Sequence, residues 1–133
     1  MEWISPMKTI IKTDNAPAPI GPYNQAVAVQ GQLLFTAGQI ALDPKSGQIV
    51  GASAADQTKQ ICENLKGILI ASHSDFAHVV KTTVFLKNMN DFAAMNEVYG
   101  KYFSEASPAR STVEVARLPK DVVVEIEVIA VIY

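Results

Sequence analysis

Two glutamates in the last apolar run of the chain carry the clearest chemical signal. Val122 to Tyr133 reads as a twelve-residue strand, and Glu125 and Glu127 lie in it two apart, on one face. A carboxylate among apolar neighbours is costly unless it is paired or keeps its proton. That makes Glu125 and Glu127 candidates for a general acid or base with a raised pKa. The plainer alternative, a solvent-facing or ion-paired glutamate, stays open. Arg110 is the second candidate. It begins an expected strand, Arg110 to Ala116, in which Arg110, Thr112 and Glu114 share a face. A guanidinium grips a carboxylate with two parallel N–H donors. Its plainer role is a surface charge or a bridge to a strand glutamate. Nothing in the sequence sets the register between these two strands, so the distance from Arg110 to Glu125 is open.

Other reactive side chains read as structural. Cys62 lies on an apolar helical stripe with Ile61 and Leu65 and reads as core. His73 and His78 are five apart, share no helical face and lack a third ligand, so no metal site is expected. Gly-rich phosphate loops, H-E-x-x-H and G-x-S-x-G are absent. Asn96 breaks an apolar stripe, either as a lateral surface residue or as one that reaches a pocket at a subunit junction. Gly38, with Gln39, interrupts a strand end, a place where backbone often approaches a ligand.

The elements that would position these residues follow from periodicity and punctuation. Lys8 to Lys12 reads as a short strand. Asn15 to Tyr23 holds three prolines, which forbid regular structure and deliver Tyr23 at the loop's end. Gln25–Gln30 and Leu33–Ala37, separated by Gly31-Gln32, read as a hairpin. Asp43 to Gly47 is a turn, followed by an edge strand at Gln48–Val50. Ser53 starts a helix, with Asp56 in a variant capping box and the end near Ser72 to Ser74. Val79 to Lys87 is a β-branched strand. Asn90 caps a second helix bearing Phe92, Met95, Val98, Tyr99, Tyr102 and Phe103, and Pro108 ends it. Two helices and about six strands imply an α+β two-layer sandwich with the helices on one sheet face. Both sides of the last strand are largely apolar, so the face without helices implies a second copy of the chain against it.

Composition narrows the function class. The chain has 133 residues, 49% hydrophobic and 18% charged, which is one folded domain rather than a disordered segment. A net charge of -2 gives no drive toward phosphate backbones or anionic lipid. One cysteine excludes an internal disulfide. The longest uncharged stretch, Asn15 to Leu42, contains four Gln, three Pro and three Gly and cannot span a membrane. Met1–Pro6 has neither a basic nor an apolar signal region and reads as an extension ahead of a single domain over 7–133. These features describe a cytoplasmic protein with no membrane span and a charge balance that argues against nucleic acid as its partner.

Several motifs in order resemble one family. They are Ala16-Pro-Ala-Pro-Ile-Gly-Pro-Tyr-Asn-Gln-Ala26, Phe35-Thr-Ala-Gly-Gln-Ile40, Val80-Lys-Thr-Thr-Val-Phe-Leu-Lys87, Asn90-Asp-Phe92, Pro108-Ala-Arg-Ser111, Val113-Glu-Val-Ala-Arg-Leu-Pro-Lys120 and Glu125-Ile-Glu127. Together, over Met7 to Tyr133, they are similar to the Rid family of reactive-intermediate deaminases, also called YjgF or L-PSP. The resemblance implies a chorismate-mutase-like α+β fold, a homotrimer whose sheets line a central barrel, and three clefts at the subunit boundaries. It implies hydrolysis of 2-imino and 2-enamino acids, such as 2-aminoacrylate and 2-iminobutanoate, to 2-oxo acids and ammonia, without metal or organic cofactor. By position, Arg110 would bind the substrate carboxylate, the backbone N–H of Thr112 would add a donor, and Glu125 would hold the attacking water. Tyr23, Gly38 and Asn96 would line the cleft. Many deaminases of this subgroup carry Cys where this chain has Thr112. Members described as translation inhibitors or single-strand-preferring ribonucleases offer a rival reading, and a ligand-binding trimer without turnover offers a third.

Overall fold

The computed structural model describes residues 7–133, so the extension expected at Met1–Pro6 lies outside the described residues. The architecture is α+β. In chain order the elements are β1 (Lys8–Ile11), β2 (Ala26–Val29), β3 (Leu33–Phe35), α1 (Ala54–Ala71), β4 (Val79–Leu86), α2 (Phe92–Tyr102), β5 (Ala109–Glu114) and β6 (Val124–Val131). Strands β1 and β2 form an antiparallel ribbon, and the other four form a sheet in the order β3-β6-β4-β5. Strand β6 is antiparallel to both neighbours, while β4 and β5 run parallel. A parallel pair needs a crossover connection, and α2 supplies it.

The alternation within β6 decides where the core lies. Val124, Ile126, Val128 and Ala130 are at most 2% exposed. They meet Ile61, Cys62, Leu65 and Leu69 of α1 and Met95, Tyr99 and Phe103 at α2. Both helices therefore sit on one side of the sheet, as the sequence pattern implies. The other side carries Phe35, Phe85, Val113, Glu125, Glu127 and Ile129, in register across β3, β6, β4 and β5. Phe35 on that side is 67% exposed, far from the burial an aromatic ring of a core strand attains. Val131 departs from this pattern, being fully buried beside Gly31.

Helix α1 starts where its cap predicts. Ser53 is extended (φ -84, ψ 158), and its Oγ accepts the Asp56 N–H at 3.1 Å. One of the four N–H groups orphaned at a helix start is thereby satisfied. Gln57 ties the helix to the sheet, its Oε1 accepting the Val123 N–H at 3.0 Å and its Nε2 donating to the Gly51 carbonyl at 3.1 Å. Lys8 anchors β1 to the other layer by donating to the carbonyls of Ala77, Val79 and Ala106.

Four expectations are corrected. The hairpin of Gln25–Gln30 with Leu33–Ala37 does not form, because β2 pairs with β1 and β3 pairs with β6. Gly31, at φ +129 where only glycine is at ease, turns the chain out of the ribbon. Leu34 then packs against the core. Gln48–Val50 forms no edge strand beyond the single bridge Leu42↔Ile49. Asn90 is not the cap of the second helix. Asn88 Oδ1 accepts the Asn90 N–H at 2.8 Å to start a short 3-10 turn, Met89–Asp91, that runs into α2. The last strand is also shorter than expected, since Val122 and Val123 come after a 3-10 turn at Pro119–Asp121 rather than joining the ladder.

Ser53→Ala is expected to lower stability by about 1 kcal/mol, read as a lower urea midpoint at unchanged slope. Ser53→Asp, which keeps an acceptor, should restore most of the loss.

Candidate functional site

Arg110 sits one residue into β5, on the helix-facing side of the sheet, opposite Thr82. Its guanidinium is half-buried and ringed by aromatics. The centroid of Tyr99 lies 4.7 Å from Cζ, and those of Tyr23 and Phe92 each lie 5.5 Å away. Nη1 donates to Asn96 Oδ1 at 2.6 Å. Helix α2 presents these partners together, because Phe92, Asn96 and Tyr99 are spaced four and three apart on one helical face. Tyr99 is itself fixed, its hydroxyl sharing a 2.7 Å hydrogen bond with Thr82 Oγ1 and its ring stacked on Phe103 at 4.2 Å.

Among the described residues no carboxylate partners this cation. The contacts between basic and acidic side chains among those residues are the Arg117–Asp121 ion pair and the His78–Asp75 hydrogen bond. Burial pulls the Arg110 pKa below its ordinary value, with Tyr99 and Tyr23 acting the other way. A guanidinium stays charged at any working pH regardless. A half-desolvated cation with spare N–H donors and no counter-ion among the described residues has the chemistry to receive an anion.

The proline-rich loop is built to bring Tyr23 there. Gln25 Nε2 donates to the carbonyls of Thr13, Ala16 and Pro17, and its Oε1 accepts the Thr13 N–H. Prolines cannot donate, so a side chain supplies the donors that backbone N–H groups would otherwise give. Asn24 then pins the loop to β5, its N–H donating to the Pro108 carbonyl at 3.0 Å and its Nδ2 to that of Ser107 at 2.7 Å.

Thr112 lies two residues past Arg110 on the same side, opposite Val84. The Val115 N–H donates to Leu86 at 2.9 Å. Peptide groups alternate sides along a strand. The N–H groups of Arg110 and Thr112 therefore point away from β4, to the open edge of the sheet.

Glu125 and Gly38 form a second cluster, on the opposite side of the sheet. Phe35 pairs with Ile129 and Gln39 bridges Ile126, so Thr36, Ala37 and Gly38 face only Glu127 and Val128. This extra residue is a bulge, and it lays the Gly38 backbone under the Glu125 side chain. A Cβ on Gly38 would collide with Glu125 Oε2 and lie 2.8 Å from its carboxyl carbon. Burial first, and the Glu127 charge second, raise the Glu125 pKa above the ordinary glutamate value. A groove of about 700 Å³ between residues 38–47 and α1 reaches the candidate residues only at Gly38.

The six residues singled out in the sequence thus fall into two groups. Arg110, Asn96, Tyr23 and Thr112 lie at the helix-facing edge, and Glu125 and Gly38 lie on the open face. The row of Arg110, Thr82 and Val128 is three residues from the row of Glu125, Phe85 and Val113. Within one protomer the sheet separates Arg110 from Glu125. Sequence reading took Tyr99 and Phe92 for core alone, and the polar Asn96 between them was the available sign of a site. Cys62 is inert as expected, its thiol fully buried and pushed far above its ordinary pKa by that burial and by Glu63. His78 pairs with Asp75 at 2.7 Å rather than serving the site. No helix among the described residues is long and apolar enough to cross a membrane.

The profile described as Endoribonuclease L-PSP matches residues 13–132, nearly the whole chain. The protein belongs to the Rid, or L-PSP, family. A RutC family protein of Pyrococcus horikoshii is 59% identical over 93% of this chain and 98% of its own length. Mouse 2-iminobutanoate/2-iminopropanoate deaminase is 49% identical over 94% and 92%. The solved structure of Escherichia coli TdcF with bound serine is 45% identical, with a TM-score of 0.73, covering 94% of this chain and 99% of that one. The Rid fold expected from the sequence is therefore present.

In this Rid protein the folded state holds the Glu125 proton more tightly than the unfolded chain does. That carboxyl favours folding at low pH, and the contribution fades as pH rises from the ordinary glutamate value through the raised one. Glu127→Gln removes the smaller cause. It should lower the Glu125 pKa in a carbon-13 NMR titration without returning it fully to normal, and raise stability at neutral pH. An unchanged titration would show that Glu125 does not feel Glu127.

Proposed function

We propose that this protein hydrolyses reactive 2-imino and 2-enamino acids, such as 2-iminobutanoate and 2-aminoacrylate, to 2-oxo acids and ammonia. The observation that carries the reading is the half-buried, counter-ion-free guanidinium of Arg110 in its aromatic cage. It suits a small planar carboxylate. The mouse relative's name as an imino-acid deaminase and the serine in TdcF agree with a ligand of that class.

Arg110 holds the substrate carboxylate through two N–H donors, and the outward N–H of Thr112 adds another. Tyr23 and Asn96 wall the site and hold the guanidinium in place. Glu125, from across a subunit boundary, holds a water beside C2 of the imine, with Gly38 leaving room for its carboxylate. The water adds to C2 as Glu125 takes its proton, and the proton passes on to the nitrogen. The carbinolamine collapses, the C–N bond breaks, and ammonia leaves the 2-oxo acid. An enamine first takes a proton at C3 to become the imine. Orientation of an already electrophilic carbon supplies much of the acceleration. Water is the sole co-reactant, so the mechanism calls on no metal or organic cofactor.

Because the sheet separates Arg110 from Glu125, the site needs a second copy. The exposed Phe35 and Val113 face supports a homotrimer closed on the open sheet faces. The same reading places the protein in the cytoplasm, beside the pyridoxal-phosphate dehydratases that release such imines.

A threonine dehydratase generates 2-iminobutanoate, and the appearance of 2-oxobutanoate is followed with and without this protein. Acceleration is expected, lost in Arg110→Ala and lowered about 100-fold in Glu125→Gln, in variants that keep the mass of three chains by light scattering. The profile's description favours RNA cleavage as the competing reading. RNA cleavage without imine hydrolysis, or full activity in Arg110→Ala, would overturn the assignment.

A further inference from the structure

Among the described residues, Thr112 Oγ1 is the buried side-chain oxygen or nitrogen that has no hydrogen-bond partner. A hydroxyl that has given up water for nothing destabilises the protein that contains it, so such an atom in a native fold calls for a reason. Its neighbours in the same row are both engaged. Glu114 Oε1 accepts the Met89 N–H at 2.8 Å, and Arg110 donates to Asn96 at 2.6 Å. Thr112, between them on the same side of β5, holds nothing.

The residue as a whole is partly exposed while its hydroxyl is sealed, so its other atoms form the surface. One rotamer step about χ1 moves the hydroxyl into the position the methyl held, the methyl taking that of the hydrogen, and strands accommodate more than one χ1 well. A hydroxyl turned out of its sealed position would join the Thr112 N–H at the partly exposed edge of β5, two residues from Arg110. An anion held there by Arg110 and the Thr112 N–H offers the acceptor that the empty site lacks.

We infer that the Thr112 hydroxyl is a further donor to the carboxylate of a 2-imino or 2-oxo acid, turning outward on binding. This rests on the carboxylate-site reading given above. The hydroxyl is then a liability in the empty protein and an asset in the loaded one. Valine, with the same branched shape and no hydroxyl, should separate the two effects by sign.

The test is calorimetric titration of the full chain with 2-oxobutanoate, beside thermal melting without ligand. Thr112→Val is expected to bind about tenfold more weakly and, when empty, to melt about 3 °C higher. Thr112→Ser should bind within about twofold of the parent, since it keeps the donor. Binding by Thr112→Val within about twofold of the parent overturns the inference, as does a lower melting temperature, which would show that the hydroxyl already had a partner. Arg110→Ala separates the two readings. If it abolishes binding while Thr112→Val binds normally, the carboxylate site stands and the hydroxyl's role falls. If Arg110→Ala binds like the parent, or the parent does not bind, both fall.

Discussion

A charge taken half out of water, with no opposite charge beside it among the described residues, is the constraint on which the site depends. Desolvating a guanidinium is expensive, and an acidic neighbour would be the easy remedy. Here the remedy is the negative faces of aromatic rings and one amide oxygen. These stabilise the cation without occupying the donors that an incoming anion needs. Much of α2 serves that end. Tyr99 lies under the guanidinium, Thr82 of the neighbouring strand holds its hydroxyl, and Phe103 backs its ring. The β4–α2–β5 crossover brings all of these parts together.

The separation of Arg110 from Glu125 has the same logic. On one face, and within reach, the two would form a salt bridge. Arg110 would lose its vacancy, and the Glu125 pKa would fall below the ordinary range rather than rise above it. The sheet between them keeps the cation available and leaves Glu125 under burial and Glu127 alone. The Gly38 bulge completes that side by giving the carboxylate a place to lie without a Cβ against it. On the proposed reading, it is association of copies that would bring together two groups that the fold holds apart.

Local physics was readable in the sequence, and pairing was not. The Ser53 cap, the strand at Val79 and the two-sided alternation of the last strand depend on near neighbours, and each stands as expected. The hairpin around Gly31 failed because a glycine turn fixes where the chain reverses and not which strand the next segment pairs with. β3 found its partner about a hundred residues further on. Arg110 and Glu125 show the same limit within the site. Each strand's alternation was legible, but one residue of register decides whether two strands present their charges to the same side. The Rid-type motifs named these residues without saying that they face apart. Thr112 was legible only as a departure from the pattern the family resemblance implies, and the surroundings of its oxygen show that the hydroxyl has no partner among the described residues.

The order β3-β6-β4-β5 places the last strand in chain order at the interior of the main sheet. Until Val124–Val131 is made, β3 and β4 have no ladder between them, and the apolar stripes of α1 and α2 have only part of a surface to cover. The β1–β2 ribbon and the β4–β5 pair have ladders of their own, but the main sheet is joined into one only when that strand is in place.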